Sequence, residues 1–288
     1  MIPPLPPART LADACRVHAG RLGLDPMPVE KDFHLTRLIW ALAERFGDRL
    51  LLKGGTCLSK CDVGFRRMSE DADFVLPGGP GRRHRGSNAA RTNAVAKALR
   101  EIGDEIGMSL ENFDGDGHER RSHVIWTMTY PATFPPGTLL VEASMRHVVR
   151  PPRKVALRQV LAGRVAAGYA DAYCWALDAD EVRAEKVRAA FTRAPRAIRD
   201  FYDLGLFAER SDDMTSDAFV ALVDEKLAEA DARPLAAQHR GFGLTQDERA
   251  ALHRAVPTQL TPVLRRGETF DLDGVIACYD RLWEKIVD

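Results

Sequence analysis

The chain predicts a mixed α/β half followed by an all-helical half, with the change of character near residue 178. Three observations carry this. Up to that point, short apolar runs closed by turn residues alternate with helical stripes. Beyond it, every amphipathic stretch has helical spacing. At the boundary, Asp178 with Glu181 three positions on forms an N-terminal capping signature.

The elements follow in order. The Pro-rich start "MIPPLPPART" is expected to be a loose arm. From Pro28 to Phe46, Leu35, Leu38, Ile39, Leu42 and Phe46 make a helical stripe. "RLLLKGGT" reads as a short buried strand entering a glycine turn, "CLSKCDVG" as a short helix, and "SEDADFVLP" as a strand closed by Pro77. The Gly-rich "GGPGRRHRGS" is expected to be a basic loop, followed by a helix over residues 89–107. Two strands, "SHVIWTMTYP" and "TLLVEASMRHVV", flank the turn signal "FPPG", and "AYCWAL" (172–177) is the last strand. Helical patterns then run to the end: "DADEVRAEKVRAAFTR", "PRAIRDFYDLGLFAER", "SDAFVALVDEKLAEA", "TQDERAALHRAV" and "DLDGVIACYDRLWEKIV". The expected division is 1–178 and 179–288.

A chain of 288 residues can bury one large core or two modest ones, and 45% apolar with 28% charged residues belongs to a globular protein. Its 41 basic and 41 acidic residues balance, so any nucleic-acid partner must be read from local patches. The start has neither the basic nor the apolar region of a signal peptide, and no apolar run approaches the roughly 20 residues that span a bilayer. Five scattered cysteines suit reduced thiols. A cytoplasmic protein without a membrane partner is expected.

The chemistry concentrates in "KGGTCLSKCDVGFRRMSEDADF" (53–74). Cys57 and Cys61 lack a second Cys or His pair at zinc-site spacing and read as packing residues. The Gly pair matches neither a Walker loop nor a dinucleotide fingerprint, yet a strand, two glycines and a helix start turn backbone N–H groups toward a phosphate. The same arrangement is also a common turn. Asp71 and Asp73 alternate with Ala72 and so share one strand face. Two carboxylates that close repel unless a cation sits between them, and oxygen ligands suit Mg²⁺ with substrate phosphates. Glu142 interrupts the apolar strand "TLLVEASMRH" and is either a third metal carboxylate or an edge-strand acid facing water.

These residues resemble a known family. "KGGTCLSK…RRMSEDADF" is similar to the first motif of nucleotidyltransferases with a polymerase-β-type fold, and in detail to the AbiEii/MenT toxins. A second block, "DADEVRAEKVRAAFTRAPRAIRDFYDL", resembles the same family's E-x-x-x-x-K-x-x-A…R-D-x-Y-D-L segment. The resemblance implies a mixed-sheet nucleotidyltransferase domain followed by a helical domain. It implies a toxin of a bacterial toxin–antitoxin or abortive-infection system that moves NMP from an NTP to an acceptor, the 3′ end of tRNA in the MenT branch. Carried over residue by residue, Lys53, Gly54, Gly55 and Thr56 would hold triphosphate and Ser69 would line the nucleotide pocket. Asp71 and Asp73, with Glu142, would ligate Mg²⁺ or Mn²⁺. Lys186 and Asp200 would come from the helical domain to the active-site cleft. NTP, tRNA and a cognate antitoxin are the implied partners. Ala72 is smaller than the residue many members place between the aspartates, and Glu70 adds an acid on the opposite strand face.

Three arginine-rich stretches flank these blocks: Arg82, Arg83 and Arg85; "RHVVRPPRK" (146–154); and "RAPRAIR" (193–199). Phosphate contacts of an RNA acceptor need such cations, and Arg82, Arg83 and Arg85 are the expected acceptor-binding set. Two other readings stay open. One is transfer to a small molecule or a protein; the other is a nucleotide-binding module that works without catalysis.

Overall fold

A helix buried on nearly every side organises the first of two compact units, Met1–Leu177 and Asp178–Asp288. The computed structural model describes residues 2–78, 85–114, 123–209, 214–230, 232 and 242–287. The organising helix, α2 (Pro26–Phe46), begins at a proline whose fixed φ suits the first helical position. Leu35, Leu38, Ile39 and Leu42 of the expected stripe are fully buried, while Phe46 is only half-buried. Two acids are buried with them and each is satisfied. Glu30 accepts the backbone N–H groups of Thr133 and Phe134, each at 2.9 Å, and Asp32 pairs with Lys60 at 2.5 Å.

The expected loose arm is corrected. Ala8–Leu22 forms a helix, α1, packed on α2, and only residues 2–7 precede it without regular structure. Leu11, Cys15 and Ala19 recur every four residues and are buried. The stripe was present in the sequence, but the prolines before it drew the reading toward a coil; Pro7, the last of them, stands immediately before the helix. The segment is also tied down, since the Pro3 carbonyl accepts from Arg37 at 3.4 Å and from the Tyr169 hydroxyl at 3.3 Å.

Seven strands form one mixed sheet: β1 (Leu51–Leu52), β2 (Asp71–Gly78), β3 (Ser109–Asp114), β4 (His123–Thr129), β5 (Thr138–His147), β6 (Arg153–Ala156) and β7 (Tyr173–Ala176). Their order is β3-β4-β5-β2-β1-β7-β6. The β2–β5 and β1–β7 pairs are parallel and the others antiparallel. The sequence reading lacked β3 and β6, the two edge strands. "SLENFD" and "RKVA" have no continuous apolar run, because an edge strand does not need one. Between β1 and β2 lie α3 (Gly54–Cys57) and a π-helical turn (Leu58–Asp62). Helix α4 (Arg85–Ile106) begins four residues before the expected start and packs with α2.

The sheet has two unlike faces. Ala72, Phe74, Leu139, Val141 and Ala143 are buried on the side covered by α2 and α4. Asp71, Asp73, Leu140 and Glu142 occupy the other side and remain partly exposed.

The second unit contains, among the described residues, α5 (Ala179–Thr192), α6 (Ile198–Ala208), α7 (Asp217–Glu229), α8 (Gln246–Ala255) and α9 (Leu272–Val287). Asp178 caps α5 as its spacing predicts, accepting from Asp180 N at 3.0 Å and Glu181 N at 3.4 Å. Thr245 and Glu248 form a reciprocal capping box on α8. The core is aromatic. Phe242 meets Phe201 at 5.1 Å and Trp283 at 5.5 Å between ring centres, and Phe191 meets Trp283 at 5.1 Å. No described helix is long and apolar enough to cross a membrane.

Candidate active site

Strand β1 delivers the chain into the glycine turn, and the turn lies directly against β2. Lys53 N donates to the Asp73 carbonyl at 2.8 Å, extending the β1–β2 ladder by one rung. Gly54 has φ 68°, a left-handed conformation that side chains resist, and a Cβ there would collide with Asp73 Oδ2. A Cβ at Gly55 would collide with the Arg67 guanidinium and lie 3.2 Å from Ser69 Oγ. Gly54 is therefore fixed by its left-handed backbone and its close approach to Asp73, whereas at Gly55 a Cβ would meet the ends of the Arg67 and Ser69 side chains.

Thr56, expected to face triphosphate, is fully buried. Its hydroxyl lies 2.7 Å from Ser69 Oγ and bonds to the Asp71 carbonyl. It joins the turn to β2 and positions Ser69, which is itself only half-buried.

The carboxylates converge through strand pairing. Parallel register sets Asp71 opposite Leu140 and Asp73 opposite Glu142, so all three acids fall on one sheet face. Leu140, between them, is 37% exposed, unusual for a large apolar side chain in a sheet. The next strand adds a residue that the sequence reading missed: His123, whose Nε2 lies 3.6 Å from Glu142 Oε2. Burial lowers the pKa of His123, Lys53 and Arg146 add to the lowering, and Asp73 opposes it. His123 thus senses both the acids and the cations of the same face. No local signal distinguishes it in sequence, since it simply opens a strand.

The donor set suits a hard cation. Mg²⁺ is usually held by one or two carboxylates together with substrate phosphates, and Asp71 and Asp73 supply two oxygen donors beside the glycine turn. Among the described residues, no three His, Cys, Asp or Glu side chains close into a ready-made metal cage. The carboxylate face fits a metal completed by substrate, not one held by protein alone.

In the second unit, Lys186 is nearly buried and sits between Asp200 Oδ1 and Asp203 Oδ2, each at 2.8 Å. Arg193 closes on the other Asp200 oxygen at 2.8 Å. Asp203, three residues after Asp200 on the same helix, is an equal partner of the lysine. The glutamate that opens the E-x-x-x-x-K segment, Glu181, belongs to a separate cluster, pairing with the buried Lys226 at 2.6 Å.

The arginine-rich stretches divide. Arg82 and Arg83 lie outside the described residues, as does the side chain of Arg85, which opens α4. Within residues 193–199, Arg196 bonds to the carbonyls of Ala190, Phe191 and Phe242 and pairs with Glu248 at 3.4 Å. Arg199 donates to the Gln259 carbonyl at 3.2 Å. Arg153 pairs with Asp62 at 2.7 Å, and Lys154 stands 3.7 Å over the Tyr173 ring. These cations hold the fold together; Arg193, with a half-exposed side chain, keeps one face outward.

A mixed sheet that carries acids beside a glycine turn is a fold and site suited to nucleotidyl transfer. The family model for the AbiEii nucleotidyl transferase toxin of type IV toxin–antitoxin systems matches residues 37–274. The chain belongs to this family. A candidate nucleotidyltransferase from H. pylori is similar to it at 15% identity, with a TM-score of 0.52 over 92% of this chain and 96% of that one. The structure of JHP933 from Helicobacter pylori is similar at 15% identity and a TM-score of 0.50, covering 92% and 93% of the two chains. No curated protein sequence matches the chain. The enzyme class is therefore nucleotidyltransferase, and a type IV toxin implies an antitoxin partner.

Proposed function

We propose that this toxin transfers NMP from an NTP to the 3′ end of a tRNA in an Mg²⁺-dependent reaction. The observation that carries the reading is the placement of Asp71, Asp73 and Glu142 on one face beside the Gly54–Gly55 turn. In this reading Lys53 and the two glycines receive the triphosphate, where a surface without side chains lets phosphate approach the backbone. Ser69, held by Thr56, lines the nucleotide pocket. Asp71 and Asp73, with Glu142 beside them, hold Mg²⁺ or Mn²⁺, which supplies charge neutralisation for the triphosphate and the leaving pyrophosphate. In this reading Glu142 takes the proton of the attacking hydroxyl as the new bond to the α-phosphorus forms and the bond to the pyrophosphate oxygen breaks. Lys186, with Asp200 beside it, is assigned a catalytic role within the helical unit. Arg82, Arg83 and Arg85 are assigned to the acceptor. The antitoxin is expected to be encoded beside the toxin.

Incubation with each NTP radiolabelled at its α-phosphate and with total tRNA should place label on RNA. Asp73→Asn and removal of divalent metal should each abolish the transfer. Label on protein or on a small hydroxylated compound would replace the tRNA acceptor with the alternative ones. Growth arrest by an Asp71→Ala chain as strong as that by the native chain would indicate binding without catalysis. Charge reversal of Arg82, Arg83 and Arg85 should reduce labelling of RNA while leaving NTP binding intact.

A further inference from the structure

Three of the five cysteines meet at the far end of the glycine turn. Cys57 closes α3, Cys61 lies four residues on in the π-helical turn, and Cys174 comes from β7. Cys61 Sγ stands 3.6 Å from Cys174 Sγ. Cys57 hydrogen-bonds to Cys61 as well, and its Sγ also lies 3.8 Å from Asp62 Oδ2 and 3.9 Å from Arg153 Nη2. Exposure separates the two sulfurs that face each other: Cys174 is buried to 1%, whereas Cys61 is partly exposed. A partly exposed cysteine therefore stands directly in front of a buried one. Function and packing account for neither the convergence nor the difference in exposure.

We propose that Cys61 and Cys174 form a peroxide-sensitive thiol pair, a modification site in which Cys61 is oxidised first and Cys174 resolves it to a disulfide. The local chemistry supports that order. Hydrogen bonding from Cys174, then from Cys57, holds the Cys61 thiol well below the ordinary thiol range, with Arg153 and Lys60 adding to the effect. Hydrogen bonding to Cys61 and burial push Cys174 up. A thiolate is the reactive form, and redox-sensing cysteines are low-pKa, accessible and set beside a resolving thiol.

In the first step the Cys61 thiolate attacks one oxygen of hydrogen peroxide. An S–O bond forms, the O–O bond breaks, and the departing hydroxide takes a proton to become water. In the second step Cys174 sulfur attacks Cys61 sulfur. The S–S bond forms, the S–O bond breaks, and hydroxide leaves with the Cys174 proton as a second water. Two thiols lose two electrons and two protons, and one peroxide becomes two waters. The sulfurs must close from 3.6 Å to about 2.05 Å. Because β7 pairs with β1 at Leu52↔Ala176, the bond would tie the end of the glycine turn to the strand beside the one that feeds it. The pair stands whatever the acceptor of the transfer reaction.

The test is thiol counting and peptide mapping of the reduced full-length chain after hydrogen peroxide treatment. Free thiols should fall from five to three, with Cys61 and Cys174 recovered as a linked peptide. Cys278, partly exposed like Cys61, is the internal control, and Cys61 should lose its label at least about tenfold faster at neutral pH. Cys174→Ser should trap sulfenic acid at Cys61, and Cys57→Ser should leave the linked peptide unchanged. Linkage of Cys57 to Cys61, or equal reaction of Cys61 and Cys278, would overturn the proposal. Should a serine variant fail to fold, the native peptide map decides alone.

Discussion

Asp71 and Asp73 stand half-exposed on a sheet face beside a glycine turn, whereas Asp200 and Asp203 are each 1% exposed and close on Lys186 at 2.8 Å. The same residue type thus carries opposite burdens in the two units. The first pair lies partly exposed on a sheet face next to the glycine turn. The second pair is spent on neighbouring cations, and removing one member strands charges in a buried place. A buried acid is evidence of architecture, and a partly exposed pair on a sheet face is evidence of chemistry.

Asp200→Ala should show the largest effect, because it leaves Lys186 and Arg193 without their shared carboxylate. Breaking a buried pair costs about 3–5 kcal/mol, which urea unfolding followed by circular dichroism would register. Asp71→Asn should do the reverse. Transfer should fall by at least about 100-fold, more than loss of a mere outer partner of a metal site costs. Its melting temperature should change much less than that of Asp200→Ala, because Asp71 is partly exposed. If Asp71→Asn unfolds the chain while Asp200→Ala does not, the contrast is reversed.

Gly54→Ala tests the link between turn and acid. The left-handed backbone costs about 1–2 kcal/mol with a side chain, and the added Cβ displaces the Asp73 carboxylate. Stability and transfer should therefore both fall, whereas Asp71→Asn separates them.

His34 extends the comparison to a buried base. It is fully buried, stacks on Tyr130 at 4.2 Å, and burial lowers its pKa from 6.5 to about 3. Between those values the unfolded chain binds a proton that the folded chain refuses, so stability falls as pH falls through that window. His34→Phe should remove about 1.4 kcal/mol per pH unit from the slope of unfolding free energy between pH 6.5 and 3. The smallest effect expected is that of Thr56→Val. Losing the bonds to Ser69 and to the Asp71 carbonyl should cost about 1–2 kcal/mol, with a modest rise in KM for NTP as Ser69 loosens.

Legibility differed with the range of the interaction. The α5 cap, the stripe of α2 and the shared face of Asp71 and Asp73 were readable because each depends on residues a few positions apart. The α1 stripe was readable too, at Leu11, Cys15 and Ala19, but the prolines ahead of it dominated. Strands β3 and β6 had no readable pattern, since an edge position relaxes the demand for apolar residues. Thr56 looked like a phosphate contact because its neighbours do, and only burial shows it facing inward. Lys186 and Asp200 were legible as members of one motif block, but nothing local showed that Asp203 shares the lysine with Asp200.

The sequence by itself determined the division in character near residue 178, the glycine turn, the alternation that puts Asp71 and Asp73 on one side, and the two motif blocks that carry the family. These follow from backbone geometry and side-chain chemistry repeated over a few residues. Tertiary structure alone decided that Asp73 lies opposite Glu142, that His123 joins them, that Asp203 shares Lys186 with Asp200, and that Cys61 faces Cys174. Those meetings are set by which surfaces the whole chain can bury together. No stretch of local sequence contains that information.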